Sequence, residues 1–183
     1  QNSDSQWLNL NYANDGKEYH NLDIYLPNAQ KPTYKAIVVI YGSAWFGNNM
    51  KQSVLEPLGK KLLESGFAVI AINHRSSFDA AYPAQINDVK AAIRFVRANA
   101  DKYKIDDSFI GITGFSSGGH LASLTGTSNA VKEFTVGKKT VDIEGNLGIY
   151  TSVNSSVNAV VDWFGPIDLA VKKKKKKPKV GNS

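Results

Sequence analysis

Two stretches near the start of the chain, Trp7 to Tyr12 and Leu22 to Leu26, alternate apolar and polar side chains. That period of two predicts half-exposed strands, paired antiparallel. Three later runs are almost wholly apolar: Ala36 to Tyr41, Phe67 to Ile72 and Phe109 to Thr113. They predict strands buried on both faces, as in the middle of a parallel sheet. Helical periods lie between them. Val54, Leu58 and Leu62 fall on one helical face, with Gly66 placed to end that helix. Pro83 is placed to open a longer helix on which Ile86, Val89, Ile93 and Val96 recur at spacings of three and four. Leu121 to Leu124 continues a third helix, and Val157 to Phe164 predicts a fourth strand at an apolar edge of the sheet. Residues 42–49 have no period and predict an irregular loop. Residues 129–156 have none either and predict an excursion with room for short strands. Strands alternating with amphipathic helices predict an α/β fold, a mostly parallel sheet with helices on both faces.

Composition narrows the class without naming a chemistry. The chain has 183 residues, 42% hydrophobic and 21% charged, which suits one globular domain over residues 1–171. No apolar run approaches the length of a membrane span. Cysteine is absent, which excludes disulfides and thiolate metal sites. The net charge of +6 misleads, because seven lysines crowd into residues 172–183. Taking those seven from +6 leaves the body at −1, so no basic face for nucleic acid is expected. The start, Gln1 to Gln6, is polar and lacks Met, which fits a trimmed leader and hints at a secreted or periplasmic protein.

The candidate chemistry sits at residues 111–119, GITGFSSGG, followed by His120. Gly114-Phe-Ser-Ser-Gly118 fits G-x-S-x-G centred on Ser116. Chance alone gives such a match in roughly one chain of this length in twenty. The context is stronger than the pattern: a buried strand ends just before it and a helix starts just after. That is the setting of a nucleophile elbow, in which the turn holds a serine hydroxyl clear of the sheet. The next amide, on Ser117, opens a helix and can donate to an oxyanion. Two other readings compete: a glycine-rich turn with no chemistry, and a dinucleotide turn. The second lacks its last glycine, which is His120 here, and belongs after the first strand rather than the third buried one.

With these residues the chain resembles the α/β-hydrolase superfamily, in its esterase/lipase branch of hormone-sensitive-lipase-like carboxylesterases and secreted carbohydrate esterases. Three stretches carry the likeness. Ile40-Tyr-Gly-Ser-Ala-Trp-Phe-Gly47 aligns with the H-G-G-G-W oxyanion loop, Tyr82 to Arg97 with the helix before the elbow strand, and Gly114 to Ala122 with the elbow itself. The resemblance implies an α/β-hydrolase fold and a serine hydrolase of carboxylic esters that acts through an acyl-enzyme. It implies Ser116 as nucleophile, and the amides of Ser117, Ala44 and Ser43 as oxyanion donors. It places Trp45 and Tyr41 along the substrate pocket, Tyr41 replacing the motif's His. It implies no cofactor and no metal. Its expected substrates are small-molecule or polysaccharide esters of short acyl groups, acetyl or feruloyl among them; a non-catalytic binding protein on the same fold is the alternative.

The base is the difficulty. A serine hydroxyl needs a base, and the base an orienting acid. Family order is Ser, then acid, then His, yet His20 and His74 precede Ser116, and His120 occupies a position that is structural in the family motif. Asp168 stands as a weak candidate acid; Asp162 is expected inside the last strand. After Ala170 the chain turns into Lys172 to Ser183, a run that cannot pack into a sheet. Three explanations stay open: a longer esterase whose C-terminal part is missing or altered, a slipped reading frame in lysine codons, or a deliberate basic appendage.

Overall fold

The computed structural model describes residues 5–166. Among these residues six strands form one sheet. In chain order they are β1 (Gln6–Asn11), β2 (Asn21–Tyr25), β3 (Tyr34–Ile40), β4 (Ala68–Ile72), β5 (Ile105–Phe115) and, last, β8 (Ala159–Trp163). Across the sheet the order is β1-β2-β4-β3-β5-β8. The strand β2 runs antiparallel to both β1 and β4, while β4, β3, β5 and β8 are mutually parallel. The expected architecture, a mostly parallel sheet with antiparallel N-terminal strands, is what forms.

Alternation along the buried strands supplies two cores. Val38, Ile40, Ile70, Ile72, Ile110 and Ile112 face one way, under the helices α2 (Ala84–Ala98) and α3 (Ser117–Thr127). Val39, Tyr41, Val69 and Ala71 face the other way, under Val54, Leu58 and Leu62. Each large aliphatic side chain so buried contributes about 1.5–3 kcal/mol. No helix among the described residues is long and apolar enough to cross a membrane.

Two elements depart from the sequence pattern. The helix expected across Val54 to Leu62 is broken. A short 3-10 turn, Lys51–Val54, meets a wide turn at Leu55–Gly59, and the α-helix α1 covers only Lys60–Glu64. Glu56 is extended at φ −113, ψ 128, because it precedes a proline, whose ring bars the helical region to the residue before it. Gly66 does end the helix, at φ +89. The second departure is α2. Its apolar stripe is as expected, but Asp88, Lys90 and Arg94 are buried too. Lys90 and Arg94 pair with Glu144 at 3.2 and 2.7 Å, and Arg94 also donates to the Leu147 carbonyl at 3.0 Å. These bonds fasten the 129–156 excursion to the helix. Inside it β6 (Glu133–Val136) and β7 (Lys139–Asp142) form a separate hairpin.

The register fixes where a site can form. Gly114 of β5 lies opposite Ile40 of β3, so both parallel strands end at the same level. The Ser116 turn and the Gly42 loop therefore leave the sheet side by side at its carboxyl edge, where open α/β sheets bind ligands.

Candidate active site

Ser116 has φ 52, ψ −119 and is exposed at the junction of β5 and α3. A non-glycine residue at positive φ is strained. Several contacts hold it there. The Ser116 amide donates to the Trp163 carbonyl on β8 at 2.9 Å, and its carbonyl accepts from the His120 amide at 3.0 Å. Gly114 and Gly118 are required by closeness. A Cβ on Gly118 would lie under 3.0 Å from the carbonyl oxygens of Ile40 and Tyr41, and one on Gly114 would strike the Gly118 backbone. The helix thus starts as near to the sheet as a backbone can come, and its dipole points at the serine.

The neighbouring loop is built differently. Ala44 and Trp45 have φ 50 and 64, left-handed values more usual for glycine. The amides of Ala44 and Ser117 have no hydrogen-bond partner among the described residues. The Ser43 amide is different: it donates to the Ser117 hydroxyl at 3.0 Å. Ser43, expected as a third oxyanion donor, is therefore committed to holding the loop against α3.

Tyr41 also differs from expectation. It is 1% exposed and lies in the core, so it cannot line a substrate pocket. Its ring stacks on His74 at 5.0 Å, and its hydroxyl reaches the Gly47 and His74 carbonyls at 3.3 and 3.4 Å. Burial keeps this phenol protonated by raising its pKa. Trp45 does lie on a cavity. A space of about 370 Å³ opens between Ala44, Trp45, Phe46, Tyr82, His120 and Leu124. The Trp45 ring meets the His120 ring edge-on at 5.7 Å.

No histidine ring hydrogen-bonds to the Ser116 hydroxyl among the described residues. His120 Nδ1 is bonded to the Pro166 carbonyl at 2.8 Å. His74 is buried, with Nδ1 on the Arg75 carbonyl at 2.8 Å, and burial lowers its pKa. His20 lies between Asp15 at 2.7 Å and Asp88 at 3.3 Å. Asp162 falls within β8, as expected, and ties that strand down: its carboxylate accepts from the Gly165 amide at 2.7 Å and the Ser123 hydroxyl at 2.8 Å. Asp168 and the lysine run lie outside the described residues.

The sequence pattern missed the groups that position the loop. The Trp45 carbonyl accepts from the Ser77 amide at 2.8 Å. Asn48 donates to Asp79 at 3.0 Å, and Asp79 also accepts from the Ser76 amide at 2.8 Å and hydroxyl at 2.7 Å. The segment that carries Ser76 and Asp79 is anchored by Arg75, which clasps the buried Asp88 at 2.6 Å. The one signal of this in the sequence is a run of polar residues directly after a wholly apolar strand.

The BD-FAE family model matches residues 22–183. The chain belongs to the BD-FAE family. Its fold is that of the α/β-hydrolases. It is 33% identical over 167 residues to Esterase LipQ of Mycobacterium tuberculosis, a match that covers 90% of this chain and 36% of LipQ. The solved structure of a bifunctional GH43-CE protein of Bacteroides eggerthii superposes at a TM-score of 0.90 and is 67% identical, covering 92% of this chain and 22% of that one. A truncated form of a carbohydrate esterase from gut microbiota superposes at 0.90 with 64% identity, over 91% of this chain and 58% of its own. The chain thus spans about a third of LipQ and 58% or less of these two solved chains.

Proposed function

We propose that this BD-FAE chain carries the nucleophile and the oxyanion hole of a serine hydrolase that cleaves carboxylic esters. The Ser116 oxygen attacks the ester carbonyl, and the carbonyl oxygen takes up the negative charge. The Ala44 and Ser117 amides donate to that oxygen. Collapse of the tetrahedral intermediate expels the alcohol and leaves an acyl group on Ser116; water then releases the acid. The proton from Ser116 passes to a base that is none of His20, His74 and His120 as they sit here. Likeness to carbohydrate esterases favours short acyl esters of polysaccharide, acetyl or feruloyl, as substrates.

One observation carries the reading: Ser116 is exposed at φ 52, ψ −119 at the start of α3, next to the Ser117 amide, which has no hydrogen-bond partner among the described residues. Backbone strain of this kind clusters at active sites. The test is Ser116→Ala in a protein that carries these residues together with the base. Hydrolysis of p-nitrophenyl acetate falls by about a thousandfold or more, since loss of a nucleophile removes most of the rate in such enzymes. The thermal melt stays intact, and a fluorophosphonate label found on Ser116 in the parent disappears. Activity within tenfold of the parent overturns the assignment. The second reading, a binding protein on a hydrolase fold, is favoured by the lack of a histidine bonded to Ser116. It predicts a parent protein that neither hydrolyses the ester nor takes the label.

A further inference from the structure

Two phenylalanines stand in solvent at the rim of the Ala44 cavity. Phe46 is 61% exposed and Phe78 is 81% exposed. Their rings stack at 5.2 Å with 25° between planes. Aromatic rings so exposed, side by side, usually mark a contact surface. Phe46 follows Ala44 by two residues on the oxyanion loop and itself lines the cavity. Phe78 comes from the segment after β4 and leaves its outer face open.

The surround is polar and fixed. Phe78 sits between Ser77 and Asp79, both exposed. The bonds from Ser77 to the Trp45 carbonyl and from Asn48 to Asp79 lock the two ring-bearing segments together, so the pair is already organised for a ligand. The bonds that the Asp79 carboxylate accepts all go to Oδ2; its Oδ1 has no partner among the described residues.

We propose that the Phe46–Phe78 pair is a stacking platform for a pyranose ring of the substrate, with Asp79 Oδ1 accepting from a sugar hydroxyl. The proposal rests on the ester-hydrolase reading of Ser116 and adds where the carbohydrate side of the ester is held. Ring faces carry partial negative charge, and the polarised C–H groups on one face of a pyranose lie flat against them. A carboxylate beside the rings suits hydroxyls. It does not suit an anionic membrane surface, which it would repel.

The test uses the full chain in two arms. In the first, xylohexaose without any acyl group is titrated by calorimetry; this arm needs no catalysis and survives failure of the Ser116 assignment. Phe78→Ala weakens binding by about three- to tenfold, the worth of one stacked ring. Phe78→Trp keeps it, and Asp79→Asn, which retains an acceptor, loses less than Phe78→Ala. In the second arm, the ratio of kcat/KM for acetylated xylo-oligosaccharide to that for p-nitrophenyl acetate falls in Phe78→Ala by a similar factor. An unchanged ratio with unchanged binding overturns the proposal. So does a loss confined to methyl ferulate, which would assign the rings to the acyl group. Phe78-dependent binding to phosphatidylglycerol vesicles, without binding of xylohexaose, overturns it as well.

Discussion

The two halves of the candidate site hold strained residues by opposite means. At the elbow, Ser116 is fixed by backbone alone: of the glycines two residues to either side, Gly118 is pressed against the Ile40 and Tyr41 carbonyls and Gly114 against Gly118, and the Ser116 amide is spent on Trp163. In the loop that carries Ala44 and Trp45, the left-handed residues are fixed by side chains and by segments far along the chain. Ser43 is held by Ser117, Trp45 by Ser77, and Asn48 by Asp79. Each left-handed non-glycine residue costs about 1–2 kcal/mol, so both halves need support. The elbow draws it from packing that cannot yield, the loop from polar bonds that can be removed one at a time. The elbow should therefore fail all at once, and the loop by degrees.

The sharpest break is Gly118→Ala. The new methyl has no room between the Ile40 and Tyr41 carbonyls at the end of β3, and neither backbone can move without parting β3 from β5. Overpacking of this kind costs about 3 kcal/mol or more, and about 6–12 °C of Tm in a chain of this size. Insoluble protein or a melt lowered that far is the expected outcome. A normal melt would show that α3 can slide away from the sheet and that the elbow is less rigid than its contacts imply.

The loop's remote anchor should answer to pH. Arg75 and His20 both bind Asp88, and Asp15 caps His20 from the other side. Burial pulls the His20 pKa down, but the carboxylates of Asp88 and Asp15 more than reverse this and leave it raised. A raised pKa means that the folded state binds the proton more tightly than the unfolded chain. His20 therefore adds stability that is fully present below its unfolded pKa, about 6.5, and is lost as pH rises through the folded value. Tm should fall by a few degrees more between pH 5.5 and 8.5 in the parent than in His20→Gln. Parallel slopes in the two proteins would remove His20 from the anchor.

The same contrast explains how much of the molecule was legible in the sequence. Local rules write the elbow: a buried strand, two glycines two residues from a serine, then a helix. The strand, the turn and the helix form where these rules put them, as do the four parallel strands; the apolar runs of β3, β4 and β5 follow from burial, whereas Val160, Val161 and Trp163 of β8 stand at an exposed edge. The loop depends on partners up to 74 residues away in the chain, such as Ser117 for Ser43. No periodicity records such a pairing. Hence Ser43 was expected to offer a free amide, and Tyr41 was expected on the pocket although its ring is core. The burial of Asp88, Lys90 and Arg94 on α2 is not legible for a related reason: an apolar stripe predicts which face is buried, but not that charged neighbours are buried with it when a loop brings their counter-ions. The break at Glu56 was legible in principle, since a proline follows it.

The smallest effect isolates a single stitch of the loop. Asn48→Ala deletes the bond to Asp79, which is exposed and so competes with water. One such bond is worth about 0.5–1.5 kcal/mol at most. The Ser77 amide still holds the Trp45 carbonyl, and Asp79 keeps both bonds to Ser76. Only part of the loss then reaches the Ala44 amide. In the proposed mechanism that amide acts on charge present in the transition state and not in the ground state, so its displacement lowers kcat more than it raises KM. With p-nitrophenyl acetate, which offers no sugar to the Phe46–Phe78 pair, kcat should fall by about two- to fourfold while Tm moves by only about 1–2 °C, which matches the low end of that energy range for an exposed bond. A fall beyond about twentyfold would mean that the loop stands or falls on this one bond. An unchanged kcat would mean that packing, not polar stitching, holds it, and the loop would then resemble the elbow after all.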